Sequence, residues 1–185
     1  MIKRKIDTFL NTFFKEDHKA LLVTGARQIG KTYSVREAAK RNFENFIEIN
    51  FITSPEAVGI FEGAKDVNEM LFRLSAFVDK PLVKYKTLIF FDEVQVYPDI
   101  VTRIKSLVDE GSYRYVLSGS LLGIELNNLR SEPVGYMDVK EMYPLDLKEF
   151  YEAVGMSENV FLTRITCKVS SPSRRVSSWS INGTL

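Results

Sequence analysis

Between Leu21 and Thr32 the chain reads LLVTGARQIGKT, a short apolar run leading into a glycine-framed loop that ends in Lys-Thr. Residues Gly25, Ala26, Arg27, Gln28, Ile29, Gly30, Lys31 and Thr32 fit the pattern G-x-x-x-x-G-K-[ST] at every required position. The spacing has a physical cause. The loop must curl so that successive backbone N–H groups face one phosphate, and glycines permit that curl. The helix that follows aims the positive end of its dipole at the same anion. Lys31 is then placed to reach the β and γ phosphates, and the Thr32 hydroxyl to ligate Mg²⁺. The pattern therefore demands a strand before the loop and a helix after it, with Tyr33 in that helix's first turn. Arg27 and Gln28 occupy loop positions whose side chains face outward or touch nucleotide.

The rest of the chain agrees with such a unit. Short apolar runs alternate with amphipathic segments, the pattern of a mostly parallel sheet with crossover helices. Helical spacing of Ile6, Phe9, Leu10 and Phe13 predicts a helix over 3–14. Strands are expected at 20–24, 46–51, 87–91 and 113–118, with a fifth around 136–142. The run TLIFF at 87–91 is uniformly apolar, as a central parallel strand buried on both faces must be. Further helices are expected at 32–41, at 66–78 on a stripe of Val67, Met70, Leu71, Leu74 and Phe77, after Pro98, and at LDLKEFYEAV. The helix after Pro98 should bury Ile100, Val101, Ile104, Leu107 and Val108.

Two further phrases carry chemistry. In LIFFDEVQ, four apolar residues deliver Asp92 and Glu93 to the end of a buried strand, where open α/β sheets place their sites. Asp92 would orient Mg²⁺ and its waters, and Glu93 would polarise an attacking water as general base. Small-molecule kinases activate a substrate hydroxyl instead and need no glutamate directly after the metal aspartate. In YRYVLSGS, Ser118 and Ser120 end another strand and could hold the nucleophilic water beside the γ-phosphate. Ser-Gly-Ser is also a common turn, so this phrase alone decides nothing.

Taken in order, GARQIGKT, FFDEVQ, LSGSLLG and PVGYMDVKEMYPLDLKEF resemble a prokaryotic family of AAA+ type ATP-binding proteins, whose members join this core to a C-terminal domain of uncharacterised function. The resemblance runs from about Lys3 to Gly155. It implies an α/β, P-loop NTPase fold of AAA+ type, a three-layer sandwich with a mostly parallel five-stranded sheet. It also implies ATP and Mg²⁺ as cofactors. Lys31 and Thr32 become the Walker A pair, Asp92 and Glu93 the Walker B pair, and Ser118 the sensor-1 position; Lys31, Glu93 and Ser118 form the catalytic set, and Thr32 and Asp92 the metal ligands. In many AAA-type proteins an arginine from a neighbouring subunit completes the site. Here Tyr136 stands where some relatives carry a basic residue, and Arg130 is the nearest arginine. Relatives continue past this point, so the chain is expected to be truncated: residues 1–156 an ATP-binding domain, 157–185 a flexible or non-native Ser/Arg-rich tail.

Composition narrows the classes. The chain has 25 Lys and Arg against 24 Asp and Glu, a net of +1. Arg164, Lys168, Arg174 and Arg175 are the four cations after residue 160, with no acid beside them; removing them leaves 21 cations and 24 acids, a net of −3. No general basic field attracts nucleic acid. No run of eighteen apolar residues suggests a membrane span, and the N-terminus lacks the apolar stretch of a secretory signal. The single cysteine, Cys167, excludes an internal disulfide and fits a cytoplasmic protein. With His18 the lone histidine, neither a histidine metal site nor a Ser-His triad can be assembled. Lys80, Lys84 and Lys86 read as a solvated turn. The expectation is an ATP-binding protein that hydrolyses its nucleotide when complete, with a possible homo-oligomer or protein partner. Two alternatives stay open: a non-catalytic nucleotide-binding module, and an ATP-driven nucleic-acid-handling protein.

Overall fold

The computed structural model describes residues 4–16, 18–120 and 135–155. Arg130, Cys167 and the segment 157–185 lie outside the described residues. Along the chain the elements are α1 (Lys5–Glu16), β1 (Ala20–Gly25), α2 (Lys31–Asn42), β2 (Asn45–Asn50), α3 (Val58–Glu62), α4 (Val67–Val78), β3 (Thr87–Asp92), α5 (Asp99–Glu110), β4 (Arg114–Ser120), β5 (Met137–Met142) and α6 (Leu147–Ala153). The five strands form one sheet in the order β2-β3-β4-β1-β5, and every neighbouring pair runs parallel.

Side chains alternate across a strand, so each central strand feeds two cores. Leu21, Val23, Leu88, Phe90 and Val116 face α1 and α2, where Leu10, Phe13, Phe14, Val35, Ala38 and Ala39 are buried. Leu22, Ile47, Ile49, Ile89, Phe91 and Leu117 face the other way, onto Phe61 of α3, Leu74 of α4, and Ile100 and Ile104 of α5. β1 and β3 are buried along their whole length, which is why their sequences show no polar alternation. The three-layer α/β sandwich with a five-stranded parallel sheet matches the expected class.

The helices largely follow their apolar stripes. In α5, Ile100, Val101, Ile104 and Leu107 are buried and Val108 packs partly against them. One stripe residue departs from expectation. Phe77 is 40% exposed in the last turn of α4, whose buried residues are Met70, Leu71 and Leu74. Met70, Leu71 and Leu74 already fill the buried side of the helix, which ends at Asp79 with a left-handed φ of 50°.

Parallel register brings all five strand ends to one edge. Asn50 lies beside Asp92, Gly25 beside Ser120 and Gly25 beside Met142. Just behind that edge sits an aromatic cluster of Phe51, Phe61, Phe91 and Tyr97, with ring centroids 5.4–6.4 Å apart. α3 supplies Phe61, which makes this short helix part of the floor beneath the strand ends.

Candidate nucleotide-binding site

The loop between β1 and α2 is built on glycines where the backbone requires them. Gly25 has φ 143°, and a Cβ there would stand 2.2 Å from the Met142 carbonyl oxygen on β5. Gly30 precedes α2 with φ 95°, and Gln28 adopts a left-handed φ of 62°. Such turns aim successive amides to one side. α2 starts with no side-chain cap on its first turn, so the polar chemistry of that helix end lies in its own amides.

Lys31 folds back across the loop. Its ammonium donates to the Gly25 carbonyl at 3.1 Å and to the Ala26 carbonyl at 2.7 Å. Both acceptors are neutral, and among the described residues no carboxylate touches the amine directly. Burial lowers the Lys31 pKa from its ordinary value, and Arg27 pushes the same way, while Glu93 and Asp92 oppose the shift from a distance. Ala26, Arg27 and Gln28 are exposed at the rim. Ile29 tucks its side chain over Gly25, close enough that a Cβ on that glycine would meet its Cδ1 at 2.8 Å. A cleft of about 580 Å³ opens beside the loop, lined by Arg4, Gln28, Ile29, Tyr33, Pro144 and Leu145.

Asp92 is the centre of the polar network. It is 2% exposed at the end of β3, and four donors reach it. Thr32 Oγ1 donates to Oδ2 at 2.8 Å and Asn50 Nδ2 to the same oxygen at 3.2 Å. The Glu93 N–H donates to Oδ1 at 3.0 Å, and the Ser118 hydroxyl donates to Oδ1 as well. A buried carboxylate held this way is fully solvated by protein donors. Glu93 follows with a left-handed φ of 58°, which turns its side chain off the strand line. Its carboxylate accepts from the Gln95 amide, and Gln95 in turn accepts from the Ser120 N–H at 3.2 Å.

The structure thus brings Lys31, Thr32, Asp92, Glu93 and Ser118, the residues singled out in the sequence, to one sheet edge. It adds three that motif spacing did not identify. Asn50 closes the alternating strand FIEINF with a polar residue, and Gln95 lies inside the phrase FFDEVQ; both were visible only as polar residues near a strand end. Arg4 carried no signal. Tyr136 packs beneath Lys105, whose ammonium lies 5.1 Å from the ring centroid.

The sequence model of the family described as an AAA domain matches residues 17–151, well over half of the chain. The chain belongs to this AAA domain family. No curated protein matches it. Among solved structures, the AAA fold described here is similar to C. elegans PCH-2, with a TM-score of 0.51 and 14% sequence identity. The alignment covers 94% of this chain and 50% of that one, so the chain spans half the length of that structure. At this identity the likeness speaks for the fold alone. Among the described residues of the AAA domain, no helix is long and apolar enough to cross a membrane.

Proposed function

We propose that the chain binds ATP with Mg²⁺ and hydrolyses it to ADP and phosphate. The observation that carries this reading is the meeting of a nest-like loop, the Lys31 ammonium and the Thr32–Asp92 pair at one edge of the sheet. The donor set suits the metal: Thr32 Oγ1 and Asp92 Oδ2, 2.8 Å apart, are hard oxygens of the kind Mg²⁺ selects. When bound, Mg²⁺ offsets negative charge on the transferring phosphoryl group.

The chain's own residues account for the other steps. The loop amides from Ala26 to Lys31 cradle phosphate oxygens, and Lys31 exchanges its two carbonyl partners for the β and γ phosphates. Its lowered pKa reflects burial that a phosphate charge would offset. The cleft beside Tyr33, Pro144 and Leu145 takes the nucleoside. Glu93 holds the attacking water and accepts its proton, and Ser118 stands between Asp92 and the γ-phosphate position. Phosphoryl transfer depends mostly on positioning and electrostatics, so fixed groups of this kind are what it needs.

A specific contact favours a second reading. Glu93 is already engaged by Gln95, and Gln95 by the Ser120 amide. In that reading nucleotide is bound without turnover, and its occupancy stabilises the fold or recruits a partner. Phosphate release by wild type and Glu93→Gln decides between the two. Loss of the base should lower turnover by roughly 10²–10⁴-fold. Equal background release from both proteins, with Mg-ATP still bound, would remove the enzyme and leave the binding module.

A further inference from the structure

Arg4 lies 25 residues before the middle of the phosphate loop in sequence, and its guanidinium joins three separate elements. One nitrogen donates to the Ile29 carbonyl in the loop at 3.0 Å. Another donates to the Tyr143 carbonyl after β5 at 2.7 Å. Nε lies 3.3 Å from Glu149 Oε2 on α6, an ionic contact rather than an aligned hydrogen bond. The Arg4 and Glu149 side chains are 11% and 9% exposed. Glu149 is itself held by the Lys5 N–H at 2.8 Å and the Asp146 N–H at 3.0 Å, the latter as part of the capping box that opens α6.

The grip on Ile29 has a geometric consequence. The peptide between Ile29 and Gly30 is trans and planar, so its C=O and N–H point in opposite directions. Holding the carbonyl on the Arg4 side directs the Gly30 N–H to the other side of the loop. Gly30, at φ 95°, has no Cβ to hold that orientation by packing. Arg4 supplies the constraint instead, from a fork that is rigid and permanently charged.

Resting on the nucleotide reading above, we infer that Arg4 is a positioning residue that presets the phosphate loop and couples its occupancy to the seating of α6. A triphosphate that fixes the loop fixes the Ile29 carbonyl, and through Arg4 it steadies Glu149 and the capping box. Coupling of this kind is reciprocal, so a loosened α6 weakens nucleotide binding by the same factor. The path runs through the phosphate loop and not through the base, although Arg4 also lines the cleft.

The test is hydrogen–deuterium exchange of the full chain with saturating Mg-ATP, and separately with inorganic tripolyphosphate. Either ligand should slow exchange of the α6 amides in wild type. Arg4→Lys keeps a cation beside Glu149 but has no fork to span Ile29, Tyr143 and Glu149. It should bind both ligands on the order of tenfold more weakly, and saturating ligand should no longer protect α6. The wild-type measurement decides even if the variant folds poorly. α6 exchange unaffected by bound ATP would overturn the inference. So would protection by ATP but not by tripolyphosphate, equal protection in Arg4→Lys, or affinities within twofold. A wild type that binds no Mg-ATP at all would instead overturn the nucleotide reading, and this inference with it.

Discussion

Replacing Asp92 with asparagine tests the centre of the polar network. The carboxylate accepts two donors on each oxygen: Thr32 and Asn50 on one, Ser118 and Glu93 N–H on the other. An amide offers only one acceptor oxygen, and its NH₂ must face one of the two pairs. The hydroxyls of Thr32 and Ser118 can rotate and accept. The Glu93 N–H cannot. Asn50 could flip its amide, but its Oδ1 already accepts from the Ile52 and Thr53 N–H groups at 2.9 and 3.1 Å. Either orientation therefore leaves one half-buried donor facing another, a cost of about 1–3 kcal/mol, and removes a charge-assisted bond of about 1.5–3 kcal/mol. Asp92→Asn should lose about 2.5–6 kcal/mol of unfolding free energy without nucleotide. That is a large share of a typical total of about 5–15 kcal/mol. Urea denaturation of both proteins near neutral pH reads the difference directly. A variant as stable as wild type, or more so, would show that the carboxylate is strained by burial and not satisfied by its four donors.

Two further perturbations follow from the same structure. Gly25→Ala puts a Cβ 2.2 Å from the Met142 carbonyl oxygen at a φ that side chains avoid, so β1 and β5 must part. It should destabilise by about 2–5 kcal/mol in a thermal melt and weaken nucleotide binding, whereas unchanged stability would contradict the close strand approach. Tyr115 is 2% exposed, and its hydroxyl finds no partner among the described residues. Burial, helped by Glu110 and Tyr113, pushes that hydroxyl far above its ordinary value of 10.0. The unfolded chain ionises first, so stability should fall as pH rises above 10. Tyr115→Phe should be within about 1 kcal/mol of wild type at neutral pH and should flatten that alkaline loss; an unchanged alkaline slope would refute the assignment.

The legible parts of this protein were those written in short-range pattern. LLVTG, TLIFF and the glycine loop announce strand, buried strand and phosphate-type turn because their constraints act within a few residues. Asn50 was different. It meets Asp92 only through parallel register between strands about 40 residues apart, which no local spacing encodes. Arg4 reaches Tyr143 across 139 positions, so its role exists only in the fold. α3 is five residues long and includes Gly59, too short and too weak in propensity to stand without the aromatic cluster that holds it. Phe77 sits at a helical spacing that promised burial, but Met70, Leu71 and Leu74 already fill the buried side of α4. The left-handed backbone of Glu93 likewise answers to its surroundings at the strand end and not to its own preference.

The central claim is that Lys31 and its loop hold the phosphates of a nucleotide. A thermal-shift titration with Mg-ATP, run on wild type and on Lys31→Ala, measures it most directly. At a concentration 100 times the dissociation constant, wild type should gain about 2.7 kcal/mol of stability, seen as a rising melting temperature that saturates with ligand. Lys31→Ala, lacking the ammonium that bridges Gly25 and Ala26, should show little or no rise at the same concentrations. A wild type whose melting temperature does not move with Mg-ATP would contradict the account.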